Sequence, residues 1–175
     1  EDGREWSNCE IKARWERNGR EASQRGTLMH WHIEQHLNGR ILGKPHSPEF
    51  EMFKKFEEDF LRLNKIQVLR TELPVFHCGL GIAGSIDFLG ILPSGALVII
   101  DWKRSKYIAA ENRFDKMFTP LVHLDDCKLT HYQLQLNLYR FILESEYELQ
   151  VEAMYLCALH PRQQFYNLIE VPDMH

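Results

Sequence analysis

The chain has 175 residues, of which 44% are hydrophobic and 26% are charged, and its net charge at pH 7 is −4. This length predicts one domain, residues 1–175, with a sizeable core. Since no apolar run approaches ~20 residues, a membrane-spanning helix is excluded, and the negative charge excludes a general polyanion binder. Because the chain begins at Glu1 without a methionine, we expect either a processed form or a domain cut from a longer protein, with neighbouring domains possible there.

The cysteines are scattered and form neither a C-x-x-C pair nor a spacing typical of zinc ligands. They are Cys9, Cys78, Cys127 and Cys157. A chain of this length does not need a disulfide scaffold, so reduced thiols are expected. With no signal-peptide pattern, this predicts an intracellular protein without a membrane partner.

Residues 1–25 are a basic segment in which a helix through Cys9 to Arg20 is predicted. Its cations are interleaved with Trp6 and Trp15; they are Arg4, Lys12, Arg14, Arg17, Arg20 and Arg25. Such a helix could lie along a phosphate backbone with an indole available for stacking. It could equally be a solvated amphipathic helix with a tryptophan in the core, and the sequence leaves both open.

A second helix is predicted to begin at the N-cap Thr27 and to end at the stop signal Asn38-Gly39. His30 and Glu34 are four residues apart and therefore share one face of this helix. A His/Glu pair alone is more often structural than functional. It gains meaning only if its face meets other reactive groups.

A loop from Arg40 to Ser47 leads into a third helix over residues 48–63. Phe50, Phe53 and Phe60 recur at helical spacing with charged residues between them. This pattern predicts a core-facing stripe rather than a ligand site.

Three strands are predicted next, the last two joined by a turn at Pro93–Gly95; they span residues 66–77, 82–89 and 96–103. Asp87 and Asp101 lie at equal sequence distances from that turn, so we expect them side by side. Lys103 points to the same face as Asp101 because strand side chains alternate. Two close carboxylates beside an ammonium predict a site for a hard divalent cation, although an isolated Asp-x-Lys is usually a surface ion pair. Glu72, on the first strand, could join that site or be an exposed strand residue.

Arg104 and Lys106 form a positive cluster at the strand end, and a long loop over residues 107–128 follows, with a helical turn predicted around Glu111 to Phe118. Loops of this length are often functional.

A helix is predicted from Thr130 to about Glu146, and two strands over residues 150–160 and 164–171 close the chain. The predicted core stripe of the helix is Leu134, Leu138 and Phe141, together with Ile142. Gln135 and Tyr139 are i, i+4 neighbours on another face. The element order predicts an α/β or α+β domain with a mixed central β-sheet flanked by helices.

Four motifs in this order resemble the PD-(D/E)XK nuclease superfamily, in its RecB-like and lambda-exonuclease-like branch. They are Gly26-x-x-x-His30-x-x-x-Glu34, Gly84-x-Ile86-Asp87, Asp101-x-Lys103 and Gln135-x-x-x-Tyr139. The resemblance covers roughly residues 22 to 160 and implies a restriction-endonuclease-like core. Ile86 stands where the family usually has proline, and the cysteine set of its iron–sulfur members is missing, so no such cluster is expected.

The resemblance also implies a role for each matching residue. His30, Asp87, Asp101 and the backbone carbonyl of Trp102 would hold one or two Mg²⁺ or Mn²⁺ ions, and Lys103 would position or activate water. Glu34 or Glu72 would support a second ion or the first, so Glu34, Asp87, Asp101 and Lys103 are the expected catalytic set. The expected nucleic-acid contacts are Gln135 and Tyr139, which could instead brace the site, together with Arg104 and Lys106 of the positive cluster.

The resulting prediction is a metal-dependent nuclease that hydrolyses phosphodiester bonds in DNA, as an exonuclease or a DNase acting on single strands or ends. Its products would carry 5′-phosphate and 3′-hydroxyl groups. Two alternatives stay open: an RNA endonuclease of the cap-snatching type, and a nuclease-fold module that binds nucleic acid without cutting it.

Overall fold

A five-stranded mixed β-sheet forms the centre of the fold in a computed structural model, which describes residues 6–40 and 47–174. The strands lie side by side in chain order. They are β1 (Gln67–His77), β2 (Ile82–Ile91), β3 (Leu97–Lys103), β4 (Val151–Ala158) and β5 (Asn167–Glu170). All neighbouring pairs are antiparallel except β3 and β4, which are parallel. A parallel pair needs a crossover, and the crossover here contains a long helix.

Within the described residues, three α-helices cover this sheet: α1 (Asn8–Leu37), α2 (Pro48–Phe56) and α3 (Lys128–Tyr147). A π-helical segment, Glu57–Arg62, continues α2. The predicted α+β class, with a mixed central sheet flanked by helices, is confirmed. No helix in the described ranges is long and apolar enough to cross a membrane.

Helix α1 is one helix of 30 residues, so the prediction of two separate N-terminal helices was wrong. Ser7, not Thr27, is the N-cap, and it forms a capping box with Glu10. Thr27 lies inside the helix, where its hydroxyl donates to the carbonyl of Ser23. An interior glycine such as Gly26 costs a helix only about 1 kcal/mol, which does not end a helix whose later turns are packed. The end at Asn38-Gly39 agrees with the prediction.

The tryptophans of the basic segment are not core residues. Trp6 is 52% exposed and Trp15 is 69% exposed, so the version of the amphipathic helix with a buried tryptophan is wrong. Arg4 and residues 41–46 of the predicted loop lie outside the described residues.

Strand β3 is buried on both faces because the sheet has a separate core on each side. On the side of α1 and α2, Phe53 and Phe56 pack edge-on against Trp102. This confirms the phenylalanine stripe as core. On the other side, β3 residues such as Ile99 pack against α3. Asp101 alternates with Trp102 along β3, so the two side chains point to opposite faces.

The buried stripe of α3 agrees with the predicted one at Ile142 and otherwise differs from it. It consists of Leu136, Tyr139, Ile142 and Leu143, whereas Leu138 is partly exposed. Leucines at alternate positions of this helix satisfy more than one helical stripe, so periodicity alone could not choose between them. The choice places Tyr139 against the sheet.

The long loop between β3 and α3 has no helical turn at the predicted position. Instead, the bridge between Lys116 and Asp125 pairs its two arms. The side chain of Asn112 donates to the carbonyl of Asp126, and its backbone N–H donates to Asp125. These contacts satisfy polar groups that a helical turn would otherwise pair internally.

Candidate metal centre and catalytic site

The hairpin of β2 and β3 brings Asp87 and Asp101 together. The strands pair antiparallel through Phe88 and Ile100, and the two aspartates follow one step beyond that pair. The carboxylate of Asp87 accepts a hydrogen bond from the backbone N–H of Trp102 at 2.8 Å. The expected side-by-side placement of these aspartates is therefore what the structure has.

Helix α1 places His30 over this end of the hairpin. Its Nε2 atom donates to the carbonyl oxygen of Trp102 at 2.9 Å. Its Nδ1 atom lies 3.5 Å from Asp87 Oδ2 and 3.6 Å from Glu72 Oε1. The imidazole thus contacts groups from three different strands, far apart in sequence.

Glu72 reaches the cluster from an unusual backbone conformation in β1. Its φ angle is 46°, in the left-handed region that residues other than glycine rarely adopt. Such strain is of order 1–3 kcal/mol and clusters at functional sites. Ser85 on β2 donates to the other Glu72 carboxylate oxygen at 3.3 Å, which further orients the group.

Ligand atoms of His30, Glu72 and Asp87 all lie within 4.8 Å of one another. One imidazole nitrogen and carboxylate oxygens at this spacing suit a divalent ion, which takes ligands at about 2–2.6 Å. The donor set therefore fits a divalent metal ion.

Asp101 lies beside this cluster at the bottom of the site and is only 3% exposed. Burial raises the pKa of its carboxyl, and the negative charge of Asp87 raises it further, while Lys103 opposes both. Lys103 Nζ forms an ion pair with Asp101 Oδ2 at 2.7 Å. This buried oxygen is therefore already held by a cationic side chain.

The negative charges of the cluster also shift the pKa of His30. Burial by itself would lower it, but hydrogen bonds and charges from Asp87 and Glu72 outweigh burial and raise the pKa to about 10. The imidazole is therefore cationic at neutral pH. A metal ion binding here has to displace that proton.

Helix α3 holds the ammonium of Lys103 from the other side. Lys103 Nζ donates to Gln135 Oε1 at 3.3 Å, and Gln135 Nε2 donates to the Tyr139 hydroxyl at 2.8 Å. The ammonium also lies 4.5 Å from the ring centroid of Tyr132. Gln135 and Tyr139 thus brace Lys103. Sequence reasoning missed Tyr132, although its position one turn before Gln135 was a usable signal.

Three of the expected site residues, Glu34, Arg104 and Lys106, lie apart from this cluster. Glu34 lines the same cleft as His30 and Glu72, but it is not among the ligand atoms that converge. Arg104 forms an ion pair with Glu49 at 2.7 Å, and each side chain is only about a tenth exposed. Arg104 and Lys106 line a second cleft next to the first.

No protein-family model matches the chain, and no curated protein matches it. Among solved structures the chain is similar to a candidate exonuclease from Eubacterium rectale, with a TM-score of 0.52 and 12% identity over 85% of this chain. It is also similar to a repair endonuclease from Pyrococcus abyssi, with a TM-score of 0.37 and 21% identity over 66% of this chain. It spans 59% of the first protein and 39% of the second.

The similarity to the Eubacterium rectale protein shows a shared fold. At 12% identity it does not extend to function. The function has to be argued from the site.

Proposed function

We propose that this chain is a Mg²⁺- or Mn²⁺-dependent nuclease that hydrolyses phosphodiester bonds, with DNA as the favoured substrate. The observation that carries the proposal is the convergence of His30, Glu72 and Asp87 beside the Asp101–Lys103 pair. The similarity of the fold to that of a candidate exonuclease supports it.

In this proposal His30, Asp87, Asp101 and the carbonyl of Trp102 hold the ion, with Glu72 as a further ligand. An ion bound there would activate water and offset the charge that develops on a phosphoryl oxygen. The buried carboxylates supply its counter-charge. Glu34 lines the cleft and is available to bind a second ion or the water molecules around the first ion.

Lys103 acts on the reacting atoms in this proposal. Its ammonium is fixed by Asp101 and Gln135, and its third N–H donates to the attacking water or to the phosphoryl oxygen. The water oxygen forms a bond to phosphorus and loses its proton to solvent. The 3′-oxygen leaves with the electron pair of the broken bond and takes up a proton. The products carry a 5′-phosphate and a 3′-hydroxyl.

The test is cleavage of end-labelled single-stranded DNA, duplex DNA and RNA in Mn²⁺, Mg²⁺ or EDTA. We expect DNA to be cut with either ion and not in EDTA. Lys103→Ala and Asp101→Ala should each lower the rate by at least ~100-fold, the loss typical of removing a transition-state donor. Lys128→Ala, an exposed lysine outside the site, should cut like the parent chain.

Other outcomes of this assay decide between the alternatives. Preferential cleavage of RNA would show that RNA, and not DNA, is the substrate. Metal binding and nucleic-acid binding without any cleavage would favour the non-cutting module. Unchanged cleavage by Lys103→Ala and Asp101→Ala would overturn the assignment of the site.

A further inference from the structure

A second cleft, lined by basic residues, adjoins the metal centre. Its basic residues come from α1, from the segment after β3 and from the turn after β4; they are Arg14, Arg25, Arg104, Lys106, His160 and Arg162. The chain as a whole carries a net charge of −4. This concentration of cations is therefore a local departure from the overall charge.

The acidic residues near these cations are already paired. Glu21 pairs with Arg25 on α1, and Glu49 pairs with Arg104. Arg14, Lys106 and Arg162 form no ion pair within the described residues, and all three are exposed. The cleft thus has an excess of positive charge that faces solvent.

His160 reports this excess from inside the cleft. Burial lowers the pKa of its imidazole, and the positive charge of Arg104 lowers it further. Glu49 opposes this effect, and the weaker effects of Arg162 and Lys106 lower the pKa again. The imidazole therefore lies in the field of several cations. An anion in the cleft would relieve the repulsion among these cations.

The cleft is held together by contacts that are independent of any ligand. The side chain of Gln163 donates to the carbonyl of Lys106 at 3.1 Å, which ties the turn after β4 to the segment after β3. The backbone N–H of Leu159 donates to the carbonyl of Lys103 at 2.8 Å. The buried Glu49 fixes the guanidinium of Arg104. The guanidinium of Arg104 and the backbone that carries Lys106 are therefore positioned in advance, which lowers the entropy lost on binding.

The position of the cleft relative to the metal centre suggests its ligand. Arg104 directly follows Lys103 in sequence, and α1 carries both His30 and Arg14. At 1.5 Å per residue, their separation of 16 positions corresponds to about 24 Å along the helix axis. A row of cations running away from a phosphodiester-cleaving centre matches a polyanion whose charges repeat along a chain. Exposed Trp15 and Trp31 on the same helix offer rings for unpaired bases.

We propose that this basic cleft binds the backbone phosphates of a single-stranded segment of the substrate, several nucleotides from the bond that is cut. The choice of ligand rests on the proposed nuclease function, but the binding does not require cleavage. The cleft makes affinity depend on the length of the strand: a long oligonucleotide occupies both the cleft and the metal centre, and a very short one occupies only the metal centre.

The experiment measures binding by fluorescence anisotropy in EDTA, where no cleavage occurs, with labelled 20-nucleotide single-stranded DNA, duplex DNA of the same length and a trinucleotide. The test variant is Arg14→Ala/Arg162→Ala. The control is Lys12→Ala/Arg20→Ala, which removes the same charge from α1 residues that do not line the cleft. All four residues are exposed, so both variants should fold.

We expect the test variant to bind the 20-nucleotide strand at least ~10-fold more weakly, with the slope of log affinity against log salt reduced by about 0.7 for each lost phosphate contact. The control should bind like the parent chain, and the trinucleotide should bind equally to all three proteins. An equal loss in the control, or a test variant that binds like the parent, would overturn the proposal. If the substitutions weakened binding of duplex and single-stranded DNA equally, the proposal would also be overturned, because the cleft would then not distinguish an unpaired strand from a duplex.

The result of this binding experiment can be distinguished from the result of the cleavage assay that tests the proposed nuclease function. If no substrate is cleaved but the test variant alone loses affinity, the cleft stands and the nuclease proposal fails. If DNA is cleaved but the two double variants bind alike, the nuclease proposal stands and the cleft fails.

Discussion

Gly84 of β2 lies directly against the ring of Tyr139 of α3. A Cβ atom at Gly84 would come within 2.4 Å of Tyr139 Cε1 and 2.9 Å of its hydroxyl oxygen. Tyr139 accepts from Gln135, which in turn accepts from Lys103. The absence of a side chain at Gly84 is therefore part of what positions the lysine.

Gly84→Ala should displace Tyr139 and loosen Lys103. We expect a loss of about 1–3 kcal/mol in the free energy of unfolding, typical of overpacking, measured by urea denaturation. Catalytic rate should fall while affinity for Mn²⁺ stays close to that of the parent, because no proposed ligand moves. Gly19→Ala is the matched control, since nothing lies within 4 Å of that position, and it should be slightly more stable. A Gly84→Ala variant as stable as Gly19→Ala would contradict the packing argument.

Adding Mn²⁺ should stabilise the protein through the cluster of His30, Glu72 and Asp87. At 100 times the dissociation constant, one ion that binds only the folded state adds about 2.7 kcal/mol. For a chain of this size that corresponds to a rise of roughly 5–10 °C in Tm, measured by differential scanning calorimetry and reversed by EDTA.

The control for the metal effect is the same substitution at an aspartate outside the cluster. Asp87→Asn should abolish most of the rise, whereas Asp115→Asn, at an exposed loop position, should retain it. Equal rises in the two variants would show that Mn²⁺ binds elsewhere.

The buried ion pair of Glu49 and Arg104 predicts a large effect of removing one partner. Glu49→Gln would leave the guanidinium of Arg104 largely buried without its counter-charge. Breaking such a pair costs about 3–5 kcal/mol, and we expect a loss of about 3 kcal/mol in urea denaturation. Glu111→Gln removes a glutamate from an exposed pair with Arg113, where both side chains are more than 70% exposed. It should change stability by less than ~1 kcal/mol. Similar effects in both variants would contradict the importance of burial.

Protonation of Glu57 should account for part of the loss in the free energy of unfolding at acid pH. Burial alone would raise the pKa of its carboxyl, but Lys54 and His36 outweigh burial and lower the pKa below its ordinary value of 4.5. His36 Nε2 lies 3.0 Å from the carboxylate. Because the folded-state pKa is lowered, this stabilisation is present above pH 4.5 and is lost as the pH falls through the lowered pKa.

The measurement is the free energy of unfolding as a function of pH from 7 to 3. Glu57→Gln should be less stable than the parent near neutrality and should lose less stability as the pH falls. Glu58→Gln, at the adjacent exposed position, should follow the parent curve. Parallel curves for the parent chain and Glu57→Gln would rule out this contribution.

The helices show which structural features could be predicted from local sequence patterns. The phenylalanines of α2 predicted a buried stripe, and the structure buries them, because apolar residues at helical spacing leave one face to pack. The same reasoning failed for α3, where leucines at alternate positions allowed more than one stripe. It also divided α1 at Thr27, because a capping residue and a glycine look alike inside a helix and at its start.

Sequence by itself determined the hairpin that sets Asp87 beside Asp101, since a turn and two apolar strands define their register through local spacing alone. The motif resemblance implied His30 as a ligand and left Glu72 open, and only the tertiary structure decided that both lie beside the aspartates. It also decided that Glu34 lies apart and that Arg104 is held by Glu49. Those contacts connect residues from separate elements, and their distances depend on how α1, α2 and β1 pack on the sheet. Packing of that kind is set by the whole core and leaves no signal in the spacing of a few residues.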